Sequence, residues 1–274
     1  MNNEFYGVVP QTILKSSLDR NLEELSILGY TVIEDVIGQE ELNELRGKLD
    51  AAYKVQQEEV ADEFTLESIQ EENQVRGPLC YDDHFIDIAK NDKILQIIKA
   101  ALGNYFLIHL QIGIINQPDV ANRQAVWHRD LLYQDFVVSR PIAVSVMLCI
   151  DDFNEKTGGT IVVPFSHKLD RMPSAEFIER TGVTIEAKAG SVFFMDSMLI
   201  HKAGYNTSGN IRRGLNTIYA SGILKQQISF QSQLNGKFKE DPFLNMLLGY
   251  DAEASKSVAE WRKRRFNKLY KKAD

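Results

Sequence analysis

Four residues of this chain carry side chains that together suit oxidative metal chemistry: His128, Asp130, His201 and Arg212. Only Arg129 separates the first two, in Trp127-His128-Arg129-Asp130; His201 follows Asp130 by 71 residues, and Arg212 follows His201 by another 11. Two imidazoles and one carboxylate can hold one face of an iron(II) ion and leave the opposite face open for dioxygen and an organic ligand. A guanidinium close to that open face can clamp a second carboxylate through two parallel hydrogen bonds. The pattern predicts an iron(II) centre that takes a 2-oxo acid as co-substrate.

Strands must deliver these side chains. On a strand over Ala125 to Asp130, His128 and Asp130 point together and Arg129 points away. His201 ends the apolar run Ser191 to Ile200, where a strand of a facing sheet can supply the third ligand. Asn206-Thr207-Ser208-Gly209-Asn210 are turn residues, so a strand leading out and another returning bring Arg212 back beside His201. Along the returning strand Arg212, Gly214 and Asn216 share one face, while Arg213, Leu215 and Thr217 share the other. Parity therefore selects Arg212 over Arg213 as the residue facing the site.

Other readings of these residues are weaker. His128-Arg129-Asp130-Leu131 imitates a protein-kinase catalytic loop, but that loop needs Asn five places after its Asp. Position 135 is Asp135, and no glycine-rich phosphate loop lies upstream. His167 competes as third ligand, yet it lies in the loop Pro164-Phe165-Ser166-His167-Lys168 without a returning arginine, and a structural role is expected. His84 and His109 have no partner pattern and are read as structural.

The surrounding pattern changes period near residue 105. Before it, Leu22, Leu25 and Leu28 form a helical stripe closed by Gly29, and Tyr30 to Ile33 reads as a strand. Gln39 to Tyr53 is helical through Leu42, Leu45 and Leu49. Asn91 or Asp92 caps a helix that buries Ile94, Ile97 and Ile98 and ends at Gly103. After it come strand-like segments: Phe106 to Asn116, Ala125 to Asp130, Ile142 to Ile150 and Thr160 to Val163, then Val183 to Ala187, Ser191 to Asp196 and Arg213 to Ile223. Turn signals such as Pro118-Asp119, Gly158-Gly159 and Lys188-Ala189-Gly190 separate them. Seven or eight such strands predict a mainly β jelly roll of two facing antiparallel sheets with flanking helices. The expected organisation is one domain over 1–274: a mostly helical part (1–105), a β core (106–223) and a C-terminal extension (224–274) that turns helical again from Ser257.

Composition narrows the class. Among 274 residues, 44% are hydrophobic and 25% charged, ordinary for a globular protein. No apolar run approaches the roughly 18–20 residues that span a bilayer, and Met1-Asn2-Asn3-Glu4-Phe5 lacks a secretory layout. Cys80 and Cys149 are too few for a disulfide framework, which points to a reducing cytoplasm. The net charge of −7 disfavours nucleic acid as a partner and leaves a small molecule as the expected substrate. The charge is uneven: residues 56–76 are acidic, and 261–274 carry Arg262, Lys263, Arg264, Arg265, Lys268, Lys271 and Lys272. Each run reads first as a solvated helical face. The acidic run is also a candidate lid, and the basic run a surface docking on the domain or on a second subunit, so the chain is expected as a monomer or a homodimer.

These residues make the chain resemble the phytanoyl-CoA dioxygenase family of iron(II)/2-oxoglutarate oxygenases. The resemblance runs from about Leu22 to Ile223. It rests on His128-Arg129-Asp130, Asp151-Asp152-Phe153 to Gly158-Gly159-Thr160, Val163 to Lys168, Gly190 to Asp196, and His201-Lys202-Ala203-Gly204 through Arg212-Arg213. It implies a cupin-like double-stranded β-helix, Fe(II) on His128, Asp130 and His201, and Arg212 on the distal carboxylate of 2-oxoglutarate. It further implies Gln111 and Asn116 as polar residues lining the co-substrate pocket, with Arg76 as a further candidate contact.

The implied reaction is oxidation, foremost hydroxylation, of an unactivated C–H bond with dioxygen, releasing succinate and carbon dioxide. Halogenating relatives lack the carboxylate that Asp130 supplies. Two departures stand out: Phe165 replaces a customary glycine, so its loop is expected to take another path, and Ala203 replaces a serine that assists 2-oxoglutarate in some members. Two other classes remain open on the residues alone, a non-catalytic jelly-roll ligand-binding protein and a redox-neutral cupin-like metal enzyme.

Overall fold

Side-chain periodicity builds the first hundred residues as the sequence suggests. In the computed structural model, which describes residues 12–120, 123–131 and 137–270, helix α1 (Ser17–Ile27) starts where the Ser16 side chain accepts from the Asp19 amide. The segment Met1 to Phe5, Asp135, Lys271 and Lys272 lie outside the described residues. Gly29 follows α1 at φ +89°, and a Cβ there would meet His167 Nδ1 at 2.5 Å, so only glycine fits. Strand β1 (Tyr30–Ile33) and helix α2 (Gln39–Val60) come next. Helix α2 runs about two turns beyond Tyr53, where Gln56, buried near its end, exchanges hydrogen bonds with the Arg76 backbone.

Strand β2 (Gln74–Arg76) leads to helix α3 (His84–Ala89) and helix α4 (Asp92–Leu102), the latter capped by Asn91 and closed by Gly103. The β core follows with β3 (Phe106–Asn116), β4 (Ala143–Cys149), β5 (Ile161–Val162), helix α5 (Ala175–Thr181), β6 (Val183–Thr184), β7 (Val192–Asp196), β8 (His201–Lys202) and β9 (Arg212–Ser221). Helices α6 (Phe230–Gln233), α7 (Pro242–Leu247) and α8 (Val258–Tyr270) complete the described chain. No helix among the described residues is long and apolar enough to cross a membrane.

The strands form two antiparallel sheets, one of six strands in the order β1-β7-β4-β9-β3-β2 and one of three in the order β6-β5-β8. Alternation divides the large sheet between two cores. Ile108, Val146, Phe194 and Tyr219 turn to the helical side, against Leu45, Leu49 and Ile98. Leu110, Ile112, Met147, Phe193 and Ile218 turn to the small sheet and its Val162. The result is a jelly-roll core with helices on the outer face, and its inner face holds the candidate site.

One local expectation needs correction. Ala125 to Asp130 is not a strand: Arg123–Ala125 is a 3-10 turn, and the chain then touches β8 through one antiparallel bridge, His128 to His201, with both N–H···O contacts at 3.0 Å. The ladder stops there because the Asp130 amide bonds the Ser197 carbonyl instead. His201 opens a strand of the facing sheet, as expected. Asp196 closes a corner, its carboxylate accepting the Met198 amide at 2.9 Å and its carbonyl the Leu199 amide at 2.7 Å, and β8 then starts in the other sheet. Phe165 stands where a glycine is customary. It takes φ +67°, the left-handed region open to glycine, while its ring stays 56% exposed.

A left-handed backbone costs an L-residue about 1 kcal/mol or more, and an exposed ring offsets little of it. Phe165→Gly is expected to raise the unfolding free energy by about 1 kcal/mol in chemical denaturation; equal or lower stability would show that the ring contributes more than its exposure implies.

Candidate metal centre

His128 and Asp130 stand on the segment that bridges to β8, and His201 opens β8, so the single backbone bridge sets all three side chains side by side. His201 Nε2 lies 3.5 Å and His128 Nε2 4.0 Å from Asp130 Oδ1, and the two rings are 4.4 Å apart between centroids. The outer ring nitrogens turn away: His128 Nδ1 lies 2.6 Å from the Val126 carbonyl and His201 Nδ1 2.9 Å from the Leu199 carbonyl. A carbonyl only accepts, so each Nδ1 carries a proton, and in the neutral ring each Nε2 is the nitrogen whose lone pair is free for a metal. These three residues are a group among the described ones whose donor atoms converge closely enough to hold a metal ion.

The carboxylate is held from its other end. Asp130 Oδ2 accepts from the Ser145 hydroxyl and from Asn216 Nδ2 at 3.3 Å, and Ser145 is in turn 2.8 Å from Ser197. Oδ1 alone is thereby left facing the imidazoles. Burial by itself would raise the Asp130 pKa, but His201, His128 and the Ser145 hydroxyl outweigh it and hold the carboxyl well below its usual range. Burial likewise works against charge on His201, and the adjacent Asp130 more than reverses it, whereas burial and the neighbouring His201 push His128 down. A carboxylate ionised this firmly, beside two lone pairs, fits a divalent cation.

Arg212 opens β9 and lies almost fully buried on the same cavity, 1% exposed. Its Nη2 donates to the Gly158 carbonyl at 2.6 Å and its guanidinium sits 4.3 Å from the Phe153 ring centroid. Its Nε has no partner, and no carboxylate pairs with it among the described residues. Burial lowers its pKa to about 10. A buried, uncompensated cation is costly, and an anionic ligand arriving in the cavity would relieve it. Arg213 points to the opposite side, bound to Asp50 at 2.7 Å and close to Asp151, as strand parity requires.

The remaining expected residues divide. Asn116 is the register partner of Arg212 and shares its side of the sheet; its Nδ2 reaches the Gly158 and Gly204 carbonyls, joining the two loops that flank the arginine. Its Oδ1 is buried without a partner. Gln111 is not a pocket residue. Odd parity on β3 turns it to the helical side, where it accepts from the Leu79 amide and donates to the Phe85 carbonyl and the Thr217 hydroxyl. Its polarity is consumed in joining the sheet to the α3 region. Arg76 does line the cavity, held by Glu71 at 2.6 Å. His167 packs under Gly29 with Nε2 3.1 Å from the Ser26 carbonyl, a structural histidine.

The cavity measures about 430 Å³. Leu110, Ile112, Met147 and Ile218 make an apolar wall, and Gln74, Gln124 and Gln227 make polar parts of its lining. Ser145 and Ser197 escaped the sequence reading. The available signal was Ser145 itself, a hydroxyl within a strand buried at every position, which requires a partner.

Comparison with known proteins agrees with this geometry. Residues 28–214 match the model of the family described as phytanoyl-CoA dioxygenase (PhyH). The chain belongs to the phytanoyl-CoA dioxygenase family. The protein Rv1501 of Mycobacterium tuberculosis is 32% identical over 272 residues, covering 94% of this chain and 96% of its own length. Among solved structures, AviO1 of Streptomyces viridochromogenes superposes with a TM-score of 0.57 at 19% identity, over 76% of this chain and 97% of its own. HygX of Streptomyces hygroscopicus, solved with nickel and 2-oxoglutarate bound, gives a TM-score of 0.56 at 15% identity, over 76% and 88%. Membership of this family supports an oxygenase-type enzyme, and the solved structures share the jelly-roll fold.

Three substitutions separate the carboxylate clamp from the merely structural polar residues. Ser145→Ala and Asn216→Leu are each expected to weaken binding of a divalent metal roughly 10- to 100-fold in titrations. Gln111→Leu is expected to leave metal affinity unchanged and to cost about 1–3 kcal/mol of stability, since it orphans the buried Leu79 amide. A Gln111→Leu protein that lost metal or co-substrate binding would return this residue to the site.

Proposed function

We propose that the protein is a non-haem iron(II)/2-oxoglutarate-dependent dioxygenase acting on a small molecule. His128, Asp130 and His201 hold the iron, and Arg212 binds the far carboxylate of 2-oxoglutarate. The observation that carries this reading is the shared cavity: three converging donor atoms together with a buried arginine that has no anionic partner. With dioxygen, an iron(II)–2-oxoglutarate centre supplies the oxidising power to hydroxylate an unactivated C–H bond, with succinate and carbon dioxide as products.

The chain's own residues do the rest. Ser145 and Asn216 hold Asp130 by one oxygen, so the other is the one that would bind the metal. The Nδ1–H bonds to Val126 and Leu199 fix the imidazole tautomers before metal arrives. Phe153 and the Gly158 carbonyl hold the Arg212 guanidinium in place, leaving its Nε for the co-substrate. Leu110, Ile112 and Ile218 exclude water around the substrate carbon, and the glutamine side chains orient its polar groups. Asp130 favours hydroxylation over halogenation, since it occupies the position a halide would need. The scarcity of cysteine and the acidic net charge fit a cytoplasmic enzyme with no nucleic-acid partner.

Anaerobic addition of iron(II) and 2-oxoglutarate is expected to produce a visible charge-transfer absorption. Arg212→Ala should raise the Kd for 2-oxoglutarate roughly 30-fold or more, the effect of losing 2 kcal/mol or more from a buried charge pair. Metal binding without any 2-oxoglutarate-dependent spectrum, or an unchanged Kd in Arg212→Ala, would defeat the co-substrate assignment.

A further inference from the structure

Helix α8 is thirteen residues long and none of its residues is buried. Such a helix is marginal in water without a surface to pack on. At 100° per residue, Val258, Trp261, Phe266, Leu269 and Tyr270 occupy one half of it, with Arg262 and Arg265 among them, and Lys263, Arg264 and Lys268 lie outside that half. Trp261, Phe266, Leu269 and Tyr270 are each more than half exposed, and the Phe266 and Tyr270 rings stack at 5.0 Å. Elsewhere on the same chain lies a groove of opposite character, about 300 Å³, between the end of α2, the 3-10 turn Glu67–Ile69 and β2. Val60, Leu66, Ile69, Cys80 and Ile228 line it with apolar surface, and Glu59 lines it with charge, while Glu71 there is paired with Arg76. Glu58, Asp62, Glu63 and Glu67 extend the acidic surface around it, all exposed.

We propose that α8 of one copy docks in this groove of a second copy, making a reciprocal homodimer. The two surfaces match in both respects that decide an interface: aromatic and aliphatic side chains meet an apolar floor, and a basic helix meets an acidic rim. A two-fold axis makes the exchange mutual, so each protomer gives one helix and receives one. Three aromatic side chains carry roughly 150 Å² or more each, and two whole dockings bury on the order of 2,000 Å², within the range of stable interfaces. Glu71, Gln74 and Arg76 line both this groove and the metal cavity, so the docked helix rests against the wall of its partner's site.

Sedimentation equilibrium of the full chain at micromolar concentration and moderate salt tests the proposal. The expected mass is twice the 31.2 kDa of one chain. A helix variant, Trp261→Glu with Leu269→Glu, and a groove variant, Glu63→Lys with Glu67→Lys, should each sediment as monomers with unchanged circular dichroism and melting. Mixed in equal amounts, the two variants should regain a dimer, because one intact helix then meets one intact groove. A monomeric full chain would overturn the proposal, as would dimers unaffected by either variant or no recovery on mixing. So would a monomer that instead binds vesicles containing phosphatidylserine, which would assign α8 to an anionic membrane surface.

Discussion

The ionised Asp130 carboxylate, almost out of solvent between two imidazoles, is the constraint around which the rest is arranged. A charge in such a place must be compensated from every side. Ser145 and Asn216 satisfy one oxygen, and the other is left to the histidines and to whatever cation they hold. Every element that reaches this carboxylate is therefore fixed in register: β4 through Ser145, β9 through Asn216, and the bridge between His128 and His201. The Asp196 corner belongs to the same construction, since it carries the chain from the large sheet to the small one just before His201 is needed.

Arg212 is the second charge and obeys the same rule with opposite sign. It is buried against Phe153 and a carbonyl, with no carboxylate in its reach among the described residues, while its neighbour Arg213 is fully engaged with Asp50 and Asp151. Two adjacent arginines thus separate cleanly, one neutralised on the outer face and one left wanting on the inner. The inner face is also where the metal ligands converge, and this coincidence turns a jelly roll into a candidate oxygenase.

Much of this was legible in residue order. Strand β3, Phe106–Asn116, falls where the sequence puts it to the residue, the other long strands within two residues at each end, and parity on β9 puts Arg212 on the inner face. Legibility failed where tertiary contacts override local pattern. The His128 segment carries only one bridge, a fact decided by the Ser197 carbonyl and invisible locally. Gln111 was misplaced because a buried glutamine on a core strand can serve either face, and only the helix packed behind β3 shows which. Phe165 shows the reverse case, in which the fold imposes a glycine-like backbone on a residue that resists it.

The central claim is that His128 Nε2, Asp130 Oδ1 and His201 Nε2 would hold one metal ion in the cavity that Arg212 also lines. Anomalous diffraction from crystals grown anaerobically with iron(II) and 2-oxoglutarate tests it most directly. The account predicts one strong iron peak among those three atoms, with a bound carboxylate against Arg212. An iron peak elsewhere, or a filled metal site with the carboxylate nowhere near Arg212, would contradict it.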